Sequence, residues 1–337
     1  MEDFLNAFVL LSNFALVPAL AYGSQLALGA LGVTLVFAVL RFSNFAHGET
    51  MAFGTMIAIF GTWGLQAAGV SIDPLPTALL AIPLAIVVTI GWVLITDKLV
   101  YRFYREKKSD EVILLIVSIG VMFVTAGVVR FAIGVDDQVF TDGERFVFSA
   151  REFRTYTGLR EGLALRTTQV ISVVAAVICV IALFIFLNRT RTGKAMRAYA
   201  DNEDLATLSG IDAGKVVLVA WSLAAALAVL AGTLYGLDKS FKPFVYQQIL
   251  LPIFAAAIVG GLGSPVGAIV GGYIIAFAEV LVTYAYIRFL RYLLPQEWLP
   301  EGLAQLVGTE YKFAVSFVIL VVTLIIRPTG IFNKKPA

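Results

Sequence analysis

Residues 42–54, FSNFAHGETMAFG, interrupt an apolar stretch that runs from residue 23 to residue 68. They contain His47, the only histidine of the chain, with Gly48 and Glu49 directly after it. Ionisable side chains within membrane-spanning segments are costly, and they usually face a bundle interior or a water-filled cavity. The stretch therefore predicts a membrane helix that is interrupted, with a polar site at the interruption.

The composition sets the class of protein. The chain has 337 residues, of which 59% are hydrophobic and 14% are charged, whereas a soluble domain is about half apolar and about a quarter charged. Its apolar segments are long runs, and a transmembrane barrel would show short alternating strands instead. We therefore expect an all-α polytopic membrane protein. A net charge of +2 is too small to indicate a nucleic-acid partner.

The chain has few of the side chains that disulfides, metal sites and enzyme active sites require. Cys179 is the only cysteine and His47 the only histidine, so we expect neither a disulfide framework nor a metal site. No nucleophile–base pair is recognisable, and we expect the chain not to be an enzyme. Residues 1–10 lack the basic region of a cleavable signal peptide and open with Glu2 and Asp3.

Apolar runs of about 20 residues predict membrane spans. The count is eight to ten, because the first two runs could form one long bent helix and the eighth and ninth could include a re-entrant element. The ten runs are 5–22, 23–41, 48–68, 77–97, 111–133, 167–188, 214–237, 246–262, 265–289 and 311–327. Together they predict a single transmembrane domain over residues 1–337.

The basic residues predict the orientation of the chain. Residues 98–108 hold five lysines and arginines, and the segment from Arg189 to Lys215 holds five more. Short loops rich in these residues lie on the cytoplasmic side. With ten spans, both termini share that side, and the charged loop 134–166 lies outside.

A second interruption, GGLGSPVGAIVGG, occupies residues 260–272. Paired interruptions in the two halves of a transporter indicate the substrate path, so we expect broken helices near 42–49 and 260–267 to line it. The candidate path residues are Asn44, Phe45, His47, Gly48, Glu49, Gly261, Gly263, Ser264 and Gly267.

Both interruptions also have a purely structural interpretation. Asn44 is a plausible N-cap for the helix that follows, and His47 and Glu49 could satisfy loosened backbone groups there. The glycines near residue 267 form a GxxxG pattern that permits close helix packing. Arg130 and Glu279, two polar residues within other predicted spans, could pair with each other.

Residues 192–211, TGKAMRAYADNEDLATLSGI, form a polar stretch between two spans. Its spacing predicts an amphipathic helix outside the membrane, preceded by Gly193 and ended by Gly210. A solvated connector and a docking element for a cytoplasmic partner are both compatible with that pattern.

Four motifs follow one another along the chain: NFAHGE, GKAMRAYADNEDLATLSGI, FAAAIVGGLGSPVGAIVGG and YKFAVSFVILVVTLIIRPTGIF. Together, and in this order, they resemble the permease subunits of branched-chain amino-acid ABC importers. Such importers pair two types of permease, and the resemblance is in particular to the first type. The resemblance extends from about residue 20 to residue 333. It implies a bacterial-type inner-membrane complex with a second permease subunit, two cytoplasmic ATPase subunits and an external substrate-binding protein.

The resemblance also assigns roles to residues. It implies that 192–211 is the ATPase-coupling segment, with contacts from Gly193, Arg197, Ala198, Asp201, Asp204, Ala206 and Gly210. The chain lacks the phosphate-binding pattern GxxxxGK[ST]. We therefore expect no cofactor on this chain, with ATP and Mg²⁺ bound by the partner ATPases.

Residues 134–166 and 290–310 depart from the family pattern, and both would face the external partner. Two other functions stay open on the sequence alone. One is a permease for urea or short amides, which carries similar motifs. The other is an ion-coupled secondary amino-acid transporter, which would need more ionisable residues in its spans.

Overall fold

The structure is a computed structural model, and it describes residues 2–300 and 302–332. Helices dominate the fold, with a two-stranded sheet of β1 (Phe146–Phe148) and β2 (Leu165–Arg166). In chain order the helices are α1 (Glu2–Leu40), α2 (His47–Ala67), α3 (Ala78–Glu106), α4 (Glu111–Ile133), α5 (Ala150–Thr157), α6 (Thr167–Arg189), α7 (Arg191–Asp201), α8 (Glu203–Leu208), α9 (Ala213–Lys239), α10 (Val245–Gly260), α11 (Pro265–Thr283), α12 (Ile287–Leu293) and α13 (Lys312–Ile326).

Seven helices of the described chain are long and apolar enough to cross a membrane: α1, α3, α4, α6, α9, α11 and α13 with its preceding 3₁₀ turn. Helix α10 is equally apolar but has only 16 residues. Helix α2 has 21 residues and begins with the polar sequence His-Gly-Glu-Thr. The predicted class, an all-α polytopic membrane protein, is confirmed.

The first two predicted spans are one helix. Helix α1 continues for 39 residues, with a π-helical turn at Ser12–Leu16 and Pro18 in the first turn of the segment that follows. Gly23, at the predicted boundary, lies within the helix. A Cβ there would be 2.5 Å from the Tyr273 ring, so this glycine permits close packing with α11 and does not end a span.

Helix α1 connects the two faces of the molecule. Near its start, the Asn6 side-chain oxygen accepts a hydrogen bond from the Glu161 N–H at 3.0 Å. After its end, the Arg41 guanidinium donates to the Ala200 carbonyl in α7. We call the side formed by residues 134–166 the loop face, and the side formed by α7 and α8 the α7 face.

The two described ends of the chain lie on opposite faces of the structure, whereas the ten-span prediction places both termini on one side of the membrane. Glu2 begins α1 on the loop face, whereas the Phe332 N–H donates to the Gly260 carbonyl at 3.0 Å. Gly260 precedes a turn that borders α7. The difference arises because the ten-span prediction counts two spans where the structure has the single helix α1.

The loop 134–166 is folded. Strands β1 and β2 pair in antiparallel register, and α5 begins with a capping box between Ser149 and Glu152. The Asp142 carboxylate ties the loop to the start of α3, where it accepts from the Thr77 N–H at 2.7 Å.

Candidate functional site

The predicted interruption near 42–49 is present and buried. Helix α1 ends at Leu40, and Arg41 closes it with a left-handed φ of 59°. Phe42 then packs against the rings of Tyr101 and Trp221, with centroids 5.5 and 6.4 Å away. The chain is non-helical up to residue 46 and runs from the α7 face into the bundle.

Side chains of α3 and α4 form hydrogen bonds with this non-helical segment. The Asn44 side-chain oxygen accepts from the Ala46 N–H at 3.1 Å and from the Tyr101 hydroxyl at 3.2 Å. The Phe45 N–H donates to the Ser118 hydroxyl at 3.0 Å. Ala46, and not Asn44, is the N-cap of α2, and it makes no side-chain cap. Asn44 instead stabilises the turn before the helix, which corrects the predicted cap.

His47 and Glu49 begin α2 in the interior. His47 is 2% exposed, and its Nε2 atom has no hydrogen-bond partner in the described chain. Gly32 of α1 leaves room for the imidazole, because a Cβ at residue 32 would be 2.6 Å from the His47 Cε1 atom. The ring therefore fills a space between α1 and α2.

Glu49 faces the other way, towards α4. Its Oε1 atom lies 3.9 Å from an Arg130 Nη atom, and the guanidinium lies over the Phe244 ring at 4.2 Å from the centroid. The suggested pairing of Arg130 with Glu279 is wrong. Glu279 lies 3.6 Å from the Lys312 ammonium, between α11 and α13.

The connection between α9 and α10, which the sequence analysis treated only as a loop between two spans, meets the interruption at 42–46. Ser240 ends α9 with a positive φ of 68°, and α10 begins only at Val245. A Cβ at Gly48 would be 2.7 Å from the Tyr246 carbonyl oxygen, so the first turns of α2 and α10 are in contact. In the sequence, the proline of Ser-Phe-Lys-Pro at 240–243 indicates that the helix is broken here.

The first half of α10 exposes polar side chains. Phe244, Gln247, Gln248 and Leu251 are exposed, whereas Tyr246, Ile249 and Leu250 are buried. Amide groups have no hydrogen-bonding partner in lipid hydrocarbon. This exposed surface of α10, together with Arg130, therefore suits contact with protein or water better than contact with lipid.

The predicted interruption near 260–267 is a tight turn between α10 and α11. Ser264 caps α11 by accepting from the Gly267 N–H at 3.2 Å. A Cβ at Gly260 would be 2.0 Å from the Gly267 carbonyl oxygen, so the glycines here allow two backbones to touch. Gly261 adopts a left-handed φ of 107°.

The two predicted parts of the path are not brought together. Gly48 contacts the first turn of α10, whereas Gly261, Gly263 and Ser264 follow its last turn, about 20 Å away along the helix axis. Gly263 instead lines a cavity of about 460 Å³ on the α7 face, beside Arg197 and Ala198.

The predicted helix over 192–211 is two helices, α7 and α8. Asn202 separates them and caps α8, its side-chain oxygen accepting from the Leu205 N–H at 2.9 Å. Gly193 lies in the first turn of α7 and does not precede it. A Cβ there would be 2.2 Å from the Phe186 carbonyl oxygen, so this glycine lets α7 pack against α6. Gly210 follows α8 with a φ of 83°.

The surface of α7 and α8 differs partly from the predicted contact set. Arg197, Ala198, Asp201 and Asp204 are exposed, but Ala206 is buried in the core of the chain and is unavailable to a partner. The sequence analysis did not name Leu205 and Leu208, two apolar residues of α8 that are 62% and 85% exposed. Residues three apart lie on the same side of a helix, so two leucines at this spacing in a polar stretch indicate a shared apolar surface.

Tyr199 joins the two helices. Its hydroxyl donates to the Glu203 carboxylate at 2.5 Å. Burial raises the pKa of the phenol above its ordinary value, and the neighbouring carboxylate of Glu203 raises it further. Tyr199 therefore stays protonated and holds α8 against α7.

The model of the permease component of branched-chain amino acid transport systems matches residues 15–324. The chain belongs to this family. The high-affinity branched-chain amino acid transport system permease protein LivH of Salmonella typhimurium is 30% identical over 317 residues, covering 93% of this chain and 92% of that protein. The probable branched-chain amino acid transport permease protein LivH of Methanocaldococcus jannaschii is 32% identical over 317 residues, covering 93% of this chain and 90% of that protein.

A third member of the family, the permease protein BraD of a high-affinity branched-chain amino acid transport system in Pseudomonas aeruginosa, is 28% identical. That match spans 322 residues and covers 95% of each chain. The family model begins after the first part of α1 and ends within α13, so it covers both interruptions and the α7 face. No solved structure gave a significant match.

Proposed function

We propose that this chain is the membrane-spanning permease subunit of an ATP-driven importer of branched-chain amino acids. The observation that carries the proposal is the similarity to branched-chain amino acid permeases over more than nine-tenths of the chain. Ionisable and polar groups at two interrupted helices support a transport role, since such groups within a bundle are typical of substrate paths.

The substrate path, in this proposal, follows the junction of α2, α4 and α10. Glu49, Arg130 and the exposed glutamines of α10 are the polar groups that support it. The partly exposed surface that they form would be completed by a second permease subunit. The turn 260–264 would then act at the α7 face and not in the path.

The α7 face would be cytoplasmic and would bind two ATPase subunits. The basic segment 98–108 supports this orientation, because α3 ends beside Tyr199 of α7. Leu205 and Leu208 of α8 would contact the ATPase, with Arg197 and Asp201 at the rim. An external binding protein would deliver the substrate to the loop face.

The test is reconstitution of the chain in liposomes with its second permease, ATPases and binding protein. We expect uptake of radiolabelled leucine that requires ATP and is absent for the chain alone. Urea is the comparison substrate. ATP-driven uptake of urea without leucine uptake, or leucine uptake by the chain alone, would contradict the proposal.

The α8 contact is tested in the same complex. Leu208→Asp is expected to reduce ATPase retention on an affinity-purified permease several-fold and to leave the permease folded, since Leu208 is exposed. Ser209→Asp, at the next exposed position, is the matched control. Equal retention by the two variants would exclude Leu208 from the contact.

A further inference from the structure

The ion pair between Glu49 and Arg130 is incompletely bonded. The closest nitrogen–oxygen distance, 3.9 Å, exceeds hydrogen-bonding distance. Glu49 is 1% exposed, yet its Oε1 atom has no hydrogen-bond partner within the described chain, nor has the Arg130 Nε atom. Buried charged groups are stable only when their remaining donors and acceptors are satisfied. This pair therefore has unused capacity for one further donor and one further acceptor.

The Arg130 side of the pair is reachable from outside the chain. The Arg130 side chain is 28% exposed and lies over Phe244, which is itself exposed. Gln247, one turn further along α10, is also exposed, and its amide lies 4.0 Å from the Met122 sulfur. A small ligand approaching this surface of α10 would meet the Phe244 ring and the Arg130 guanidinium, with the Glu49 carboxylate buried directly behind the guanidinium.

The chemistry of the pair fits the backbone of an amino acid. A guanidinium binds a carboxylate through two parallel hydrogen bonds, and a buried carboxylate accepts from an ammonium. A free α-amino acid carries both groups on one carbon, so it would satisfy both halves of the pair. An apolar side chain would then contact the Phe244 ring. Urea offers neither charge, and a carboxylic acid or an amine offers one.

We infer that Glu49 and Arg130 form a transient binding site for the ammonium and carboxylate groups of a free α-amino acid, with Phe244 contacting its apolar side chain. The inference rests on the proposed function and adds to it a place where the permease itself recognises the charged groups of its substrate. The pair opens to admit the ligand and closes when the ligand leaves, so the buried charges are never without a partner.

Protection of an introduced thiol by the ligand tests the site. The parent is the assembled complex in nanodiscs carrying Cys179→Ala and Gln247→Cys, labelled with a maleimide. We expect 10 mM leucine to slow labelling at least threefold. Isoamylamine, 4-methylpentanoate and urea at the same concentration should protect much less. Ser209→Cys, on the α7 face, reports any general effect of leucine on labelling.

The decisive variant is E49Q/R130Q, which removes both charges and keeps hydrogen-bonding side chains. We expect it to assemble, because replacing both partners of a buried pair is tolerated better than removing one, and to lose protection by leucine. The matched control is E279Q/K312Q, which neutralises the other buried pair, at 3.6 Å, and should keep protection. If E49Q/R130Q does not assemble, Arg130→Lys and Glu49→Asp replace it, and each should weaken protection at least threefold.

Protection retained in E49Q/R130Q, lost equally in E279Q/K312Q, or given equally by isoamylamine would overturn the inference. So would the absence of protection in the parent. Failure of the proposed function is a different result, namely no ATP-dependent leucine uptake by the unmodified complex. Failure of this inference leaves that uptake intact and appears only in the labelling assay.

Discussion

Gly48 is the residue on which the contact between the two interrupted helices depends. A Cβ at this position would be 2.7 Å from the Tyr246 carbonyl oxygen, and backbone atoms cannot give way as a flexible side chain can. We expect Gly48→Ala to destabilise the chain by about 1–3 kcal/mol through overpacking. It should also impair transport, because α2 and α10 would separate. Thermal unfolding in detergent and ATP-driven leucine uptake measure the two effects.

Gly64→Ala is the control for that prediction. Gly64 lies in the same helix, where a Cβ would meet no atom within 4 Å apart from those of its own turn of helix, and alanine is favoured over glycine inside a helix by about 1 kcal/mol. Gly64→Ala should therefore unfold at the same or a higher temperature. Equal unfolding temperatures for the two variants would argue against a tight contact at Gly48.

Asn44 supports the non-helical segment by accepting two buried hydrogen bonds, from the Ala46 N–H and the Tyr101 hydroxyl. Asn44→Leu leaves both donors without an acceptor, and each unsatisfied buried group costs about 1–3 kcal/mol. We expect a marked fall in the unfolding temperature. Asn44→Asp keeps an acceptor and should be milder. Asn188→Leu, an exposed change on α6, should have little effect, and a similar fall there would contradict the assigned role.

At the scale of elements, α8 depends on its cap. Asn202→Ala removes the acceptor for the Leu205 N–H and should cost about 1 kcal/mol of helix stability. Because α8 has only six residues, that loss should loosen it and raise hydrogen exchange at 203–208. Exchange within α7 should change less. Asn202→Asp retains the cap and is the control, and unchanged exchange in Asn202→Ala would show that α8 does not depend on its cap.

Helices that cross the bundle were predictable, because each is a long apolar run ended by polar residues. The prediction for 111–133 matches α4, and those for 167–188 and 214–237 lie within two residues of α6 and α9. Whether residues 5–41 form one helix or two stayed open in the sequence analysis, because hydropathy does not report whether a helix continues through Gly23. The capping box at Ser149 and Glu152 shows that α5 could also have been predicted from its sequence.

At the scale of the whole molecule, the sequence located one half of the candidate site and missed the other. NFAHGE stands out by its polarity in an apolar region, so residues 44–49 were identifiable. Their neighbours were not, since the contacts of Glu49 with Arg130 and of Gly48 with Tyr246 join residues that are far apart in the chain. The glycines near residue 260 were equally conspicuous. Their spacing, however, is the same whether they allow close helix packing at the α7 face or line a substrate path.

The two faces of the molecule predict a topology in which the start of α1 lies opposite the basic segment 98–108, whereas the ten-span prediction places both on one side. The Asn6 side-chain oxygen accepts a hydrogen bond from the Glu161 N–H, so we expect the start of α1 and the loop 134–166 to lie on one side of the membrane. The basic end of α3 and α8 share the other, since Arg102 and Glu203 border one cavity. Introduced cysteines in a Cys179→Ala chain, labelled with a membrane-impermeant maleimide, report these sides.

In vesicles of a single orientation, Asp3→Cys and Arg151→Cys should be labelled together, and Lys107→Cys and Ser209→Cys should be labelled only after the membrane is opened or inverted. The reason is that α1 is one continuous helix of about 58 Å, long enough to cross the bilayer once and extend beyond it. Two separate spans within residues 5–41 would instead bring Asp3 to the side of Lys107. Labelling of Asp3→Cys together with Lys107→Cys would therefore contradict the continuous helix and restore the ten-span topology.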